Sequence, residues 1–272
     1  MVAIMLRSAA LLLILSFCVA REQTGSHFSF INARNEQSIV AHKMFIDEPK
    51  HSDVKVLPEE VDHRKAGIVT DVRGWDVCAS GAISAFVSIV ESATAQAYKR
   101  PVVRLSTQQI ADCEVRGCTA TDVDQLTHYV FKNGLMSELD YASNQTAGEC
   151  KYDKSDGVVK LSSVTTWSIF GDEEFLQKYA ANQTVLALVD ASTPAFQTYK
   201  SGIIDDDSCG KKAANHAVVV VGYGQEAGKD YWLVQNNWGK NWGEDGYARI
   251  ARNKGNMCGI ASNITTAKIK VR

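Results

Sequence analysis

Cysteine and histidine are the residue types in this chain best able to carry covalent or metal chemistry. Of its seven cysteines, Cys18 lies in an N-terminal apolar run, which leaves Cys78, Cys113, Cys118, Cys150, Cys209 and Cys258. A cysteine can be a thiolate nucleophile, a zinc ligand or half of a disulfide. No two of these six form a C-x-x-C knuckle, so a zinc site is not expected and no metal or cofactor is predicted. An even count of exported cysteines points to three disulfides, with the pairing left open by spacing alone. His216, in Asn215-His216-Ala217-Val218, stands at the head of a β-prone run. An imidazole there can serve as a general base or as a buried core group, and residue type alone does not decide. Asn144-Gln145-Thr146, Asn182-Gln183-Thr184 and Asn263-Ile264-Thr265 are acceptor sequons for N-glycans.

Which of these chemistries is open depends on compartment and partners. Arg7, the apolar run Ala9 to Phe17 and the small residue Ala20 have the order of a secretory signal over residues 1–20. The run is too short to span a bilayer and no later stretch is longer, so the chain is expected to be exported, with a lysosomal or vacuolar destination as the alternative. Its 29 Lys+Arg against 31 Asp+Glu, with no basic run, argue against nucleic acid as a partner. With 272 residues and 45% hydrophobic composition there is material for a large domain or two small ones.

The elements that must position these groups read as a helical half followed by a strand-rich half. Residues 21–57 are polar and weakly periodic, as in a processed leader or a mobile arm. Ile83, Phe86, Val87, Val90 and Ala97 recur at helical spacing and predict a long buried helix from Ser80 to about Tyr98. Ser106 with Gln109 makes a capping box for a short second helix. A third is expected from Thr121 or Asp122 to Gly134 with Leu126, Tyr129 and Val130 inward, and a fourth from Asp172 to Ala181. Val185 to Val189, Ala217 to Val221, Tyr231 to Val234 and Tyr247 to Ile250 are short strand candidates of a barrel or curled sheet. The class is therefore α+β, with a groove between two subdomains as the default ligand site.

Several blocks, in order, carry a family resemblance. Val61-Asp62-His63-Arg64, Cys78-Ala79-Ser80-Gly81 opening the long helix, Leu105-Ser106 with Asp112-Cys113, Asn215-His216-Ala217-Val218, the run Tyr231 to Gly239 and the run Gly255 to Ser262 resemble papain-like cysteine proteases, the cathepsin L group among them. The resemblance covers about Leu57 to Arg272. It implies a left helical domain over about 66–165, a right β-barrel domain over about 166–265 and a cleft between them. It also implies the disulfides Cys78 to Cys118, Cys113 to Cys150 and Cys209 to Cys258, which use all six cysteines.

The resemblance makes His216 the base, Asn236 its orienting amide and Trp238 the indole that shields them. An ungapped alignment from Val69 to Glu91 puts Gly81 where the family has its nucleophilic cysteine. Thiol proteolysis needs a thiolate beside an imidazolium, and glycine supplies none. Trp75 stands at the glutamine of the oxyanion hole, Ala82 at the tryptophan after the nucleophile, and Ala120 and Thr121 at a glycine pair that lets peptide approach the backbone. Asn263 stands at the floor of the main specificity pocket, where a glycan would plug it. Ser80 is rotated by about 100° from the nucleophile position, Cys78 is expected in a disulfide and Ser84 to be buried, so none replaces the thiol. Between Ala20 and Pro58 there are only 37 residues, a short propeptide remnant in which the family's inhibitory helices are not expected. The expected protein is a secreted, monomeric, glycosylated, catalytically inactive homologue that binds a protein or peptide. Alternatives are a residual hydrolase using His216 and Asn236, and a structural or storage glycoprotein.

Overall fold

The structure, a computed structural model, describes residues 56–74, 80–115, 122–153, 159–210 and 213–269. The expected signal peptide, residues 1–20, and most of the expected leader lie outside the described residues, as do Trp75, Cys78, Cys118, Ala120 and Thr121.

Helix α1 (Gly81–Tyr98) is the axis of the helical half. Ser80 caps it by accepting the Ile83 N–H at 3.3 Å, and Lys99 ends it in the left-handed conformation. Every residue from Ala82 to Ala95 is buried, so α1 is covered on all sides, in keeping with its apolar and small side chains. The short α2 (Gln108–Ile110) runs into a π turn over Ala111–Val115. Ser106 caps it as expected, taking the Gln109 N–H at 3.0 Å. The return half of the capping box is not made: the Gln109 side chain instead joins Tyr129, Gly134 and Met136 to this turn. A buried amide is held better by three fixed partners than by one at a helix end. Helix α3 (Val123–Asn133), capped by Asp122 and closed by Gly134, packs Leu126, Tyr129 and Val130 inward.

The strand-rich half consists of β1 (Val61–Asp62), β2 (Ser163–Ser168), β3 (Val185–Val189), β4 (Ile203–Ile204), β5 (His216–Glu226), β6 (Lys229–Gln235), β7 (Tyr247–Ala251) and β8 (Asn263–Lys268). They form one sheet in the order β2-β8-β3-β5-β6-β7-β4, with β1 against β5. All pairs are antiparallel except β4 with β7. Helices α4 (Glu173–Ala180) and α5 (Pro194–Gln197) accompany the sheet. The four predicted strands are present. The pair β2 and β8 was not expected, because Ser-Val-Thr-Thr-Trp-Ser and Asn-Ile-Thr-Thr-Ala-Lys break the apolar alternation with threonines whose hydroxyls face each other, Thr166 to Thr265 at 3.1 Å.

Period-two alternation divides the sheet between two cores. Val218 and Val220 of β5, with Trp232 and Val234 of β6, pack with Leu176 of α4 and Phe196 of α5. Ala217, Val219, Val221 and Leu233 pack with Ile83, Phe86, Val90 and Leu126 of the helical half. β5 is thus the shared wall, and its first residue is His216. A bulge between Val220 and Gly222 brings β1 so close that any Cβ at Gly222 would collide with the Val61 carbonyl. The disulfides Cys113 to Cys150 and Cys209 to Cys258 are formed.

A buried ion pair fastens the entry segment, residues 68–74, to α1. Glu91, fully buried, pairs with Arg73. It also accepts the Thr70 hydroxyl at 2.6 Å and the Leu105 N–H at 2.7 Å. Burial holds its carboxyl above the ordinary range, with Arg73 and the two donors pulling the other way. Replacing Glu91 by Ala would remove the buried carboxylate and leave buried Arg73 with only the part-exposed Glu138, 3.3 Å away, as counter-charge. That is expected to cost about 3–5 kcal/mol in denaturant unfolding, and a cost under about 1 kcal/mol would show that the network does not bear on the fold.

Candidate active site

Four elements converge on His216. It opens β5 and is only 3% exposed. Asn236 follows the last residue of β6, and its backbone N–H is tied to the Gly246 carbonyl at 2.9 Å. His216 Nε2 and Asn236 Oδ1 are 2.7 Å apart. The same Oδ1 receives the backbone N–H of Asn237 at 2.9 Å. A backbone N–H can only donate, so the acceptor must be the amide oxygen, which fixes the orientation of Asn236. Because that oxygen only accepts, Nε2 carries the ring proton of neutral His216. Its Nδ1 is the bare nitrogen, and Nδ1 faces position 81.

An aromatic wall holds the ring from the other side. Trp238 lies 4.8 Å from it between centroids and Phe196 of α5 meets it edge-on at 6.1 Å. Trp242 backs both, 5.5 Å from Trp238 and 5.2 Å from Phe196, and donates its indole N–H to the Phe196 and Gln197 carbonyls. The entry segment latches this loop: Gln235 donates to the Thr70 carbonyl at 2.7 Å and Gly239 N–H to the Arg73 carbonyl at 3.1 Å. Asn236 also lines a small cavity with Arg73, Ser84, Ala85, Ser88, Val219 and Gln235.

Gly81 is the first residue of α1, and it faces the dyad. A Cβ built on it would stand 2.9 Å from His216 Cε1, 3.0 Å from Nδ1 and 3.3 Å from Asn237 Oδ1. The Asn237 amide donates to the Gly81 carbonyl at 3.3 Å and to the Ala217 carbonyl at 3.0 Å, bridging α1 and β5. The hydroxyls of Ser80 and Ser84 near this helix start are buried. Ser80 is the N-cap and only 3% exposed, and Ser84 is buried one turn further in.

Asn263 begins β8, and its Oδ1 receives the Ser168 hydroxyl at 2.9 Å. β3 separates β8 from β5, with Ala187 opposite Ile264 and Val189 opposite His216, which puts Asn263 about 10 Å across the sheet from the dyad's strand. Trp75, Ala120 and Thr121 lie outside the described residues. Two contributors went unsingled in the sequence: Asn237, one amide beside another, and Phe196, in a helix of four residues. The Trp238-x-x-x-Trp242 spacing is the signal that could have pointed to the aromatic wall.

Comparison with known proteins now decides the family. The profile described as papain family cysteine protease matches residues 57–268. This chain belongs to the papain family. A cathepsin L-like proteinase of Fasciola hepatica is 34% identical over 218 residues, covering 79% of this chain and 66% of the relative. Bovine cathepsin S is 37% identical over 217 residues, covering 76% and 63%. The chain therefore spans just under two thirds of the length of these relatives. Among solved structures, digestive procathepsin L 3 of Tenebrio molitor superposes with a TM-score of 0.75 at 33% identity, over 84% of this chain and 75% of that one. The proform of the ragweed pollen cysteine protease Amb a 11 gives 0.73 at 31%, over 80% and 67%. The papain-like α+β fold expected from the sequence is thus established.

In this papain family member burial pushes His216 down to about 4, and the bond to Asn236 offsets only part of that. The unfolded chain would titrate near 6.5, so between pH 4 and 6.5 the unfolded state binds more protons than the folded one. His216 thus contributes stability that is complete above about pH 6.5 and is lost as the pH falls toward 4. The contribution is on the order of 3 kcal/mol. Denaturant unfolding of the parent and of His216→Gln at pH 7 and pH 4.5 should show a markedly smaller pH-dependent loss in the variant. Equal losses would contradict a buried neutral imidazole.

Proposed function

We propose that this chain is a secreted, catalytically inactive papain-like protein that acts by binding a protein or peptide in or beside its former cleft. The observation that carries this reading is Gly81 itself: the side chain opposite His216 Nδ1 is a hydrogen atom. Acyl transfer in this family needs a thiolate there, and loss of the nucleophile in a comparable triad costs on the order of a millionfold in rate. The environment of the base supports the same reading. Without a thiolate beside it, His216 stays neutral and buried, and a base with a pKa of about 4 activates water poorly. The hydrolase alternative therefore finds weak support.

Export is supported by the signal-like N-terminus and by three sequons. Of these, Asn144-Gln145-Thr146 is exposed throughout, with Asn144 Oδ1 taking the Thr146 N–H and hydroxyl in a local turn. Thr184 and Thr265 of the other two are buried. Asn144 is accordingly the acceptor we favour for a glycan. A glycan on Asn263 would crowd the floor of the specificity pocket that the family resemblance places there.

The test is hydrolysis of a peptide-substrate panel by purified protein under mildly reducing conditions, beside His216→Ala. No turnover above buffer is expected from either protein. Turnover in the parent that His216→Ala abolishes would overturn the reading.

A further inference from the structure

We infer that the ancestral reaction is blocked a second time, independently of the missing thiol, because His216 and Asn237 have closed the space that a side chain at position 81 would occupy. This deepens the inactive reading proposed above and rests on it.

Three distances carry the inference. A Cβ at position 81 would be 2.9 Å and 3.0 Å from two atoms of the His216 ring and 3.3 Å from the Asn237 amide oxygen, all closer than ordinary van der Waals contact. Such contacts are relieved easily only when the neighbour can give way. The His216 ring has little freedom to do so: retreat breaks its 2.7 Å bond to Asn236, and Trp238 and Phe196 stand against it. Asn237 is held just as firmly, donating to the Gly81 and Ala217 carbonyls from a half-buried position. The amide therefore spans the first residue of α1 and the second residue of β5, and fixes the separation of the two elements across the slot. A thiol introduced at position 81 would be pushed outward, away from Nδ1. It could not form the close pair with the imidazole that makes a cysteine reactive at acid pH. Removing the Asn237 amide takes away one wall and the two bonds that tie the start of α1 to β5, so the helix start can draw back from the ring. Asn237 acts here through its neighbours and is a positioning residue.

The experiment is alkylation by iodoacetamide, followed by mass spectrometry of the peptide containing position 81, from pH 5 to pH 9. In Gly81→Cys the rate is expected to follow an ordinary thiol with an apparent pKa of about 8.5, so that it is nearly zero at pH 6. In Gly81→Cys/Asn237→Ala an acid limb should emerge, with a rate at pH 6 about a hundredfold higher, and adding His216→Ala should abolish it. An acid limb already present in Gly81→Cys would overturn the inference, and so would identical profiles in the single and double variants. Gly81→Ala gives a second readout that needs no free thiol. Helix propensity favours alanine over glycine, so a bare propensity effect raises the melting temperature. A closed slot instead lowers it and Asn237→Ala restores part of the loss. A rise in Gly81→Ala would likewise overturn the inference. Hydrolysis by the parent chain would sink the inactive reading while leaving both readouts interpretable.

Discussion

The hydrogen bond between His216 and Asn236 is the constraint on which the site depends, and the fold is arranged to hold it. β5 and β6 are neighbouring strands, with Val219 opposite Gln235, so the first residue of one and the residue after the other come together at one end of the sheet. β5 is also the wall shared by both cores, which means that His216 cannot shift without disturbing packing on two faces. The Asn237 N–H fixes Asn236, Asn236 fixes the His216 tautomer, and Trp238 and Phe196 fix the plane of the ring. The dyad is therefore preorganised, as a catalytic pair would be.

What it is organised toward is an amino acid without a side chain. In the active pair, the negative thiolate offsets the cost of a buried imidazolium. With glycine at 81 that compensation is gone, burial decides the charge, and the ring stays predominantly neutral until the pH approaches about 4. The free space is also gone, since the ring and the Asn237 amide lie against the glycine. Active sites commonly hold strained or repelling groups at some cost in stability. Here the same residues form a buried polar cluster at the junction of two cores, latched to the entry segment by Gln235 and Gly239 and to α1 through Arg73 and Glu91.

Much of this was legible in the sequence, for physical reasons that differ from element to element. α1 was readable because its apolar residues recur at helical spacing and Ser80 is a good cap, and α3 because Asp122 and Gly134 bracket it. The pairings Cys113 to Cys150 and Cys209 to Cys258 followed from the family resemblance and are present. β2 and β8 were not readable, because their stability lies in cross-strand threonine pairs that appear only once the strands are adjacent. The return contact of the expected capping box gave way to tertiary partners of Gln109, which no local pattern encodes. His216, Asn236 and Trp238 were identified by resemblance and the structure joins them. Asn237 carried no signal of its own, since its importance comes from the glycine opposite.

The charge and tautomer of His216 are the centre of this account, and they can be read directly. Long-range proton–nitrogen correlation spectra of protein labelled with nitrogen-15, recorded from pH 8 down to pH 4, report both ring nitrogens of each histidine. Comparison with His216→Gln assigns the signal. The account predicts a ring that is predominantly neutral and protonated on Nε2 from pH 8 to pH 5, with its titration midpoint near pH 4. A doubly protonated imidazolium at pH 6, or a ring protonated on Nδ1, would contradict it.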